Sequence, residues 1–315
     1  MARILVIRGG AIGDFILTLP AIRLLREAFP AAHLELLGHK HIVALAERRF
    51  YAHATRSIES GPLAGFFSRN AELDPELVEY FASFQQIVSY LPDPDRIFEN
   101  NLRRAGAKNI ISAWARLGDD EHVARQLARP MQSLALSLEQ PAPTLFLTAE
   151  DRALAARFFG GRERLWIALH PGSSDAIKNW ALTRWRELGD WLLTLDTGTT
   201  LLLVGGEADH AQFAQLEQAW APAASALLVA RDLPLPLLAA VIERCQLFLG
   251  HDTGISHLAA AVNVPCVLLF GPTDPAVWAP ANANVSVVRA PGNDLAAIDF
   301  EAVQRTVICR LAGER

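Results

Sequence analysis

The sequence predicts two doubly wound α/β domains in tandem, and three observations carry that prediction. The chain has 315 residues, where one domain takes roughly 100–200. Short, β-branched apolar runs alternate with segments of helical period, and the series occurs twice. That alternation is the pattern of a parallel sheet flanked by helices. Between the two series stands Gln140-Pro141-Ala142-Pro143, a stiff stretch that breaks helices. The expected domains are residues 1–145 and 146–315.

In the first domain, residues 4–7 are apolar and run into Gly9-Gly10, so they read as a buried parallel strand. Residues 15–29 carry Ile16, Leu19, Ile22 and Leu25 at helical spacing. Pro20 inside this segment lacks an N–H and is expected to kink or restart the helix. Residues 33–37, 86–90 and 109–112 read as further strands, and residues 76–84 and 122–138 as helices. Residues 50–75 show no clear period.

The second domain opens with a short helix over residues 151–159. Strands are expected at 166–169, 200–204, 226–229, 247–249, 266–270 and 285–288. The clearest helices are 183–195, 235–244 and 253–262, with a last helix over 298–311 that is free to pack back on the first domain. Sheets of this kind bind ligands at the carboxyl ends of their strands, so two facing domains would share a cleft.

Composition excludes several classes. The chain is 51% hydrophobic and 20% charged, which is globular rather than disordered. Twenty-nine basic residues against 34 acidic ones give a net charge of −5, so a global basic field for nucleic acid is absent. Cys245, Cys266 and Cys309 are odd in number and have apolar neighbours, so they read as reduced core residues of a cytoplasmic protein. The N-terminal apolar run is too short for a signal peptide. No run reaches the roughly 18–20 residues of a membrane span, which leaves only a peripheral membrane contact open.

Three constellations can carry chemistry. The first is Arg8-Gly9-Gly10-Ala11-Ile12-Gly13-Asp14, a glycine-rich turn between the first strand and helix. Gly10 and Gly13 allow close backbone approach to a ligand. The spacing fits neither the dinucleotide fingerprint nor a Walker loop. Asp14 reads as an N-cap of the helix, or as a carboxylate placed to accept a proton. The second is His170-Pro171-Gly172-Ser173-Ser174, followed by Lys178. Small residues with free N–H and hydroxyl groups plus a lysine suit a phosphate, and also suit an ordinary strand-to-helix loop.

The third is Gly250-His251-Asp252-Thr253-Gly254-Ile255-Ser256-His257, which opens a helix. A diphosphate fits the helix amino end by dipole and donor geometry, while the plain alternative is a well-capped buried helix. A Ser-His-Asp hydrolase lacks its elbow motif, and a zinc site lacks a matching spacing. Asp93-Pro94-Asp95 reads as a turn rather than a metal pair.

Together these blocks resemble glycosyltransferase family 9, the lipopolysaccharide heptosyltransferases. The opening Ile4-Leu5-Val6-Ile7-Arg8-Gly9-Gly10-Ala11-Ile12-Gly13-Asp14 is similar to that family's first block. His170 to Ser174 with Lys178-Asn179-Trp180 resembles the second. Asp252 to His257, followed by Phe270-Gly271-Pro272-Thr273-Asp274-Pro275, resembles the third. The blocks follow the family's order across nearly the whole chain.

The resemblance implies a GT-B fold, with the acceptor at the N-terminal domain and the nucleotide-sugar in the C-terminal one. It implies inverting transfer from an ADP-heptose-like donor to a lipopolysaccharide core acceptor linked to lipid A, with no metal or other cofactor. Asp14 would be the general base. Ser173, Ser174 and Lys178 would meet the donor phosphates. Thr253 and Gly254 would bind the diphosphate, with Asp252 and His257 shaping that end. Glu207 and Asp209 compete for the ribose.

Arg8, Arg48, Arg49, Arg56 and Arg69 would face the anionic acceptor, although a solvated arginine-rich loop explains the last four equally well. Ala181 stands where the family usually has Pro, and residues 231–234 lack the usual Gly, which bears on base and sugar selectivity. The implied protein is a monomer of the cytoplasm of a Gram-negative bacterium, at most peripheral to the inner face of the inner membrane. A nucleotide-sugar-binding protein without transfer, or an epimerase-like GT-B relative, is the alternative.

Overall fold

The computed structural model describes residues 1–161, 164–173, 175–195, 198–206 and 209–313. The chain divides into two compact units, Met1–Pro141 and Ala142–Arg315. The division falls inside the proline-containing stretch at residues 140–143.

The first unit is built on β1 (Arg3–Arg8), β2 (His33–Gly38), β3 (Ala54–Ser57), β4 (Gln86–Ser89) and β5 (Ile110–Ser112). They form a parallel sheet in the order β3-β2-β1-β4-β5. The apolar β1 takes the centre, pairing Ile4 with Leu34 on one side and with Gln86 on the other. Leu5, Val6 and Ile7 are wholly buried there.

The helices are α1 (Ile12–Ala28), α2 (Lys40–Val43), α3 (Pro75–Ala82), α4 (Ile97–Arg104) and α5 (Val123–Ala128). Leu5, Ile7, Leu37 and Ile87 pack on Phe66, Phe81, Phe98 and Leu102, which come from the 3-10 turn Gly61–Phe67 and from α3 and α4. Helix α1 packs against α5 and α2.

Four expectations need correction here. Helix α1 runs through Pro20 as one segment rather than restarting, with nine buried residues from Phe15 to Leu25 anchoring it on both sides of the proline. The helix expected over 122–138 ends at Ala128 and continues only as a 3-10 turn, Arg129–Leu134, because Pro130 cannot donate the next helical bond. Residues 50–75 hold β3 as well as the 3-10 turn. Helix α4 was not expected at all; Asp93 starts it by accepting from the N–H groups of Phe98 and Glu99.

The second unit opens with α6 (Ala149–Phe158). Its sheet holds β6 (Leu165–His170), β7 (Thr199–Gly205), β8 (Leu227–Arg231), β9 (Leu247–His251), β10 (Cys266–Phe270) and β11 (Val285–Arg289). All pair in parallel, in the order β11-β10-β9-β6-β7-β8. This is the doubly wound dinucleotide-fold order, whose direction reverses between β6 and β9.

The other helices are α7 (Leu182–Leu195), α8 (His210–Ala219), α9 (Leu235–Glu243), α10 (Gly254–Ala261), α11 (Pro275–Trp278) and α12 (Phe300–Leu311). Trp185, Leu188, Leu192, Phe213, Leu216, Val303 and Val307 cover one face of the sheet from α7, α8 and α12. Helix α9 packs against α6 and α10.

The last helix lies on β10 and β11 of its own unit. Its phase turns Val303 and Val307 inward and Cys309 outward. Cys309 is therefore exposed, unlike Cys245 and Cys266, which are buried as expected. No helix among the described residues is long and apolar enough to cross a membrane.

The closest helix packing in this unit is at Gly189 on α7. A Cβ there would sit 2.1 Å from Cζ2 of Trp220, a buried ring whose Nε1 donates to Asp190 Oδ1 at 2.9 Å. Gly189→Ala is expected to lower the unfolding midpoint in urea, since overpacking a filled core costs about 1–3 kcal/mol. A midpoint equal to that of the parent protein would contradict this packing.

Candidate active site

In the first unit the glycine-rich turn leaves β1 at the centre of the sheet. Gly10 has φ +88°, and a Cβ there would lie 2.6 Å from Asp14 Oδ2, so only glycine lets the turn and the carboxylate coexist. Gly13 falls within the first turn of α1. Asp14 is not the N-cap; that position is Ala11, whose side chain offers no acceptor. Asp14 is the third helical residue, and its Oδ2 reaches back to the Ala11 N–H at 2.8 Å. Its Oδ1 lies 3.3 Å from Arg8 Nη2. The side chain stays 38% exposed, so the carboxylate is held at two points and still open to solvent.

Arg8 is turned inward. Its Nε donates to Thr18 Oγ1 at 3.0 Å, and the guanidinium lies over the Tyr90 ring at 5.8 Å. Tyr90 in turn donates to the Leu127 carbonyl at 2.9 Å. Burial lowers the Arg8 pKa, against the attraction of Asp14. Arg8 thus braces Asp14, with 12% of its side chain exposed.

The other four arginines do not share one environment. Arg49 donates to the carbonyls of Ala44 and Glu47. Arg56 lies over the Tyr80 ring at 4.5 Å. Arg69 pairs with Asp95 at 3.4 Å, both well exposed. Arg48 is exposed at a left-handed turn, φ 51°.

In the second unit the loops after β6, β9 and β10 supply the site, and β6 and β9 are the pair where the strand order reverses. Thr253 caps α10 by accepting from the Ser256 N–H at 3.3 Å. The helix begins at Gly254, so the N–H groups of Gly254 and Ile255 have no acceptor within the helix. Next to this end, Asp252 Oδ2 accepts from Lys178 Nζ at 2.6 Å and from Thr273 Oγ1 at 2.7 Å. Lys178 is therefore not a free cation: Asp252 holds it beside the amino end of α10. Ser173 is half-buried, with its hydroxyl accepting from the Asp175 N–H and its carbonyl from Asn179 Nδ2.

His257 is 3% exposed. Ser174 and Glu207 lie outside the described residues. Asp209 is buried: its Oδ2 accepts from the Gly206 N–H at 2.9 Å, and its carboxylate fills the space that a Cβ on Gly172 or Gly205 would need. It closes the loop after β7.

Sequence reasoning missed Thr273 and His251. The Thr273 block was recognised, but the hydroxyl's partner is 21 residues away. His251 is wholly buried, and its Nε2 accepts from the Trp180 backbone N–H at 2.9 Å and faces Trp185 Nε1 at 3.3 Å. This ring ties the Lys178 loop to the end of β9. Burial pulls its pKa down to about 3, the neighbouring His170 adding to the effect and the Gly172 backbone opposing it. His170 is likewise lowered by burial, and its Nδ1 lies 2.8 Å from the Val204 carbonyl. No group of three or more His, Cys, Asp or Glu side chains among the described residues is arranged to hold a metal.

The depressed His251 pKa fixes a sign. An unfolded chain takes up this proton near pH 6.5, well before the folded one does. Stability is complete above about pH 6.5 and falls with acidification by about 1.4 kcal/mol per pH unit until the folded value is reached. His170 adds to the slope in the same direction. His251→Gln is expected to reduce the loss of urea stability between about pH 6.5 and pH 5; an unaltered slope would show that His251 is not the group responsible.

Known proteins resemble this chain in sequence and fold. Residues 100–306 match the family model for glycosyltransferase family 9 (heptosyltransferase). Lipopolysaccharide heptosyltransferase 1 of Pseudomonas aeruginosa is 27% identical over 87% of this chain and 79% of its own length. Lipopolysaccharide heptosyltransferase 1 of Escherichia coli O18:K1:H7 is 30% identical over 59% of this chain, and the match spans only 56% of that relative. The solved structure of E. coli heptosyltransferase WaaC with ADP superposes with a TM-score of 0.72 at 18% identity, covering 98% of this chain and 99% of that one. The chain belongs to glycosyltransferase family 9 (heptosyltransferase) and has the GT-B fold.

Proposed function

We propose that the protein transfers a heptose-type sugar, with inversion, from an ADP-sugar to a lipopolysaccharide core acceptor. The observation that carries the donor half is the amino end of α10, where the N–H groups of Gly254 and Ile255, without an acceptor in the helix, stand together with the Asp252-held Lys178. A diphosphate carries the opposite charge and matches that donor geometry. WaaC, a structural neighbour, was solved with ADP. The site residues of the second unit are, in this reading, Lys178, Ser173, Thr273, Asp252, Thr253 and Gly254.

The chemistry follows from charge. An acceptor hydroxyl oxygen bonds to the anomeric carbon as the bond from that carbon to the phosphate oxygen breaks. Negative charge grows on the departing diphosphate, and preorganised N–H groups with Lys178 stabilise it. The hydroxyl proton passes to Asp14, held in place by the Ala11 N–H and Arg8. Lys178 and the amides carry the counter-charge, so no divalent cation has a step in this scheme. In this reading the protein works as a monomer in the cytoplasm, at the inner face of the inner membrane where its acceptor is anchored.

The direct test mixes purified protein with ADP-heptose and truncated lipopolysaccharides and reads the products by mass spectrometry. One added heptose on one acceptor is expected; transfer from a different sugar nucleotide alone would overturn the donor assignment. Asp14→Asn is expected to cut turnover by about 10²–10⁴-fold while ADP affinity by calorimetry stays unchanged. Normal turnover would reduce Asp14 to a helix brace.

Lys178→Ala is expected to weaken ADP binding by about tenfold or more, the usual worth of a charge-assisted hydrogen bond. Unaltered ADP affinity would remove Lys178 from the donor site.

A further inference from the structure

The amino-terminal edge of the second sheet, away from the loops described above, holds a cavity of about 470 Å³. Leu165 begins β6, Thr199 begins β7, and Gln246 and Pro265 directly precede β9 and β10; all four line it. Ile167 forms its inner wall, and Leu195 and Leu311 bring in the ends of α7 and α12. These two helices cover the same face of the sheet, and the cavity lies between their last turns.

Three wall residues remain unusually open for large apolar side chains: Leu165 is 43% exposed, Leu195 40% and Leu311 39%. One polar group stands out among them. Arg310 lines the cavity, with its Nε donating to Ser286 Oγ at 2.6 Å and its Nη2 to the Ala283 carbonyl at 3.4 Å. Both acceptors are neutral.

We propose that this cavity binds a small amphiphile with an apolar chain and a single anionic head, of the class of a medium-chain carboxylate. The size is that of small-molecule sites, which combine mostly apolar walls with a few polar groups that set orientation. The chain lies along Leu165, Ile167, Leu195 and Leu311, and the head group meets Arg310, whose planar fork suits a carboxylate. The site is separate from the proposed donor site and does not depend on it.

The test is calorimetry with decanoate, kept below its micelle-forming concentration. One saturable site is expected, with unchanged affinity in the presence of ADP. Arg310→Gln is expected to weaken decanoate binding by about tenfold or more and to leave binding of the uncharged decanol as it was. Leu165→Glu, at the exposed rim, provides a second variant that puts a charge in the apolar wall and is expected to weaken decanoate binding without removing the Ser286 contact. Circular dichroism checks that both variants are folded. Absence of saturable binding, displacement of decanoate by ADP, or parental affinity in both variants overturns the proposal. So does pelleting with anionic phospholipid vesicles in the absence of decanoate binding, because the patch is then a membrane contact.

Discussion

The reversal of strand order between β6 and β9 is the constraint from which the second unit's chemistry follows. Helices after neighbouring strands on the two sides of that point leave on opposite faces of the sheet. Helix α7, after β6, covers one face with Trp185, Leu188 and Leu192. Helix α10, after β9, packs against α9. Neither crosses the carboxyl edge between them, so the loops carrying Lys178 and Asp252 meet there and remain reachable. The same reversal occurs in the first sheet between β1 and β4, where the turn with Gly10 and Asp14 leaves the sheet.

Reachable loops need to be held, and polar contacts rather than apolar ones do this. His251 accepts the Trp180 N–H and so fixes the residues that follow Lys178. Asp252 receives both Lys178 and Thr273, joining the loops after β6, β9 and β10. Side chains of this kind cost free energy to bury and are retained only with their partners in place. The arrangement is therefore all or nothing: removing one partner leaves the others unsatisfied in a partly dry site.

These partnerships explain what could and could not be read in the sequence. Strands such as β1, β6 and β10 are legible because burial on both faces makes them continuous apolar runs. Strand β3 is Ala-Thr-Arg-Ser, with no such run; pairing with β2 imposes its conformation. Helix α4 is Ile-Phe-Glu-Asn-Asn-Leu-Arg-Arg, whose few apolar residues hide its period, and its start depends on Asp93. The helix amino end at Thr253 was legible because a cap acts within three residues. The contacts of Asp252 with Lys178 and Thr273 were not, since they join segments 74 and 21 residues apart. Asp209 shows the same limit: its buried carboxylate is set against Gly172 in the loop after β6, which no local pattern announces.

The two helix starts also differ in a way that sorts their roles. Helix α1 has an acidic residue in its first turn, Asp14, and that carboxylate takes up the Ala11 N–H itself. The favourable field of that helix end is spent on the protein's own anion, so the place suits a fixed carboxylate and disfavours a bound phosphate. Helix α10 has no acidic residue in its first turn, and Thr253 satisfies a donor without adding charge. The Asp252 carboxylate just before the cap is offset by Lys178, so the field of this end remains open to an anion from outside. In the proposed transfer, a base that must stay in place and a diphosphate that must arrive and depart have opposite requirements, and the two helix starts differ in the way those requirements do.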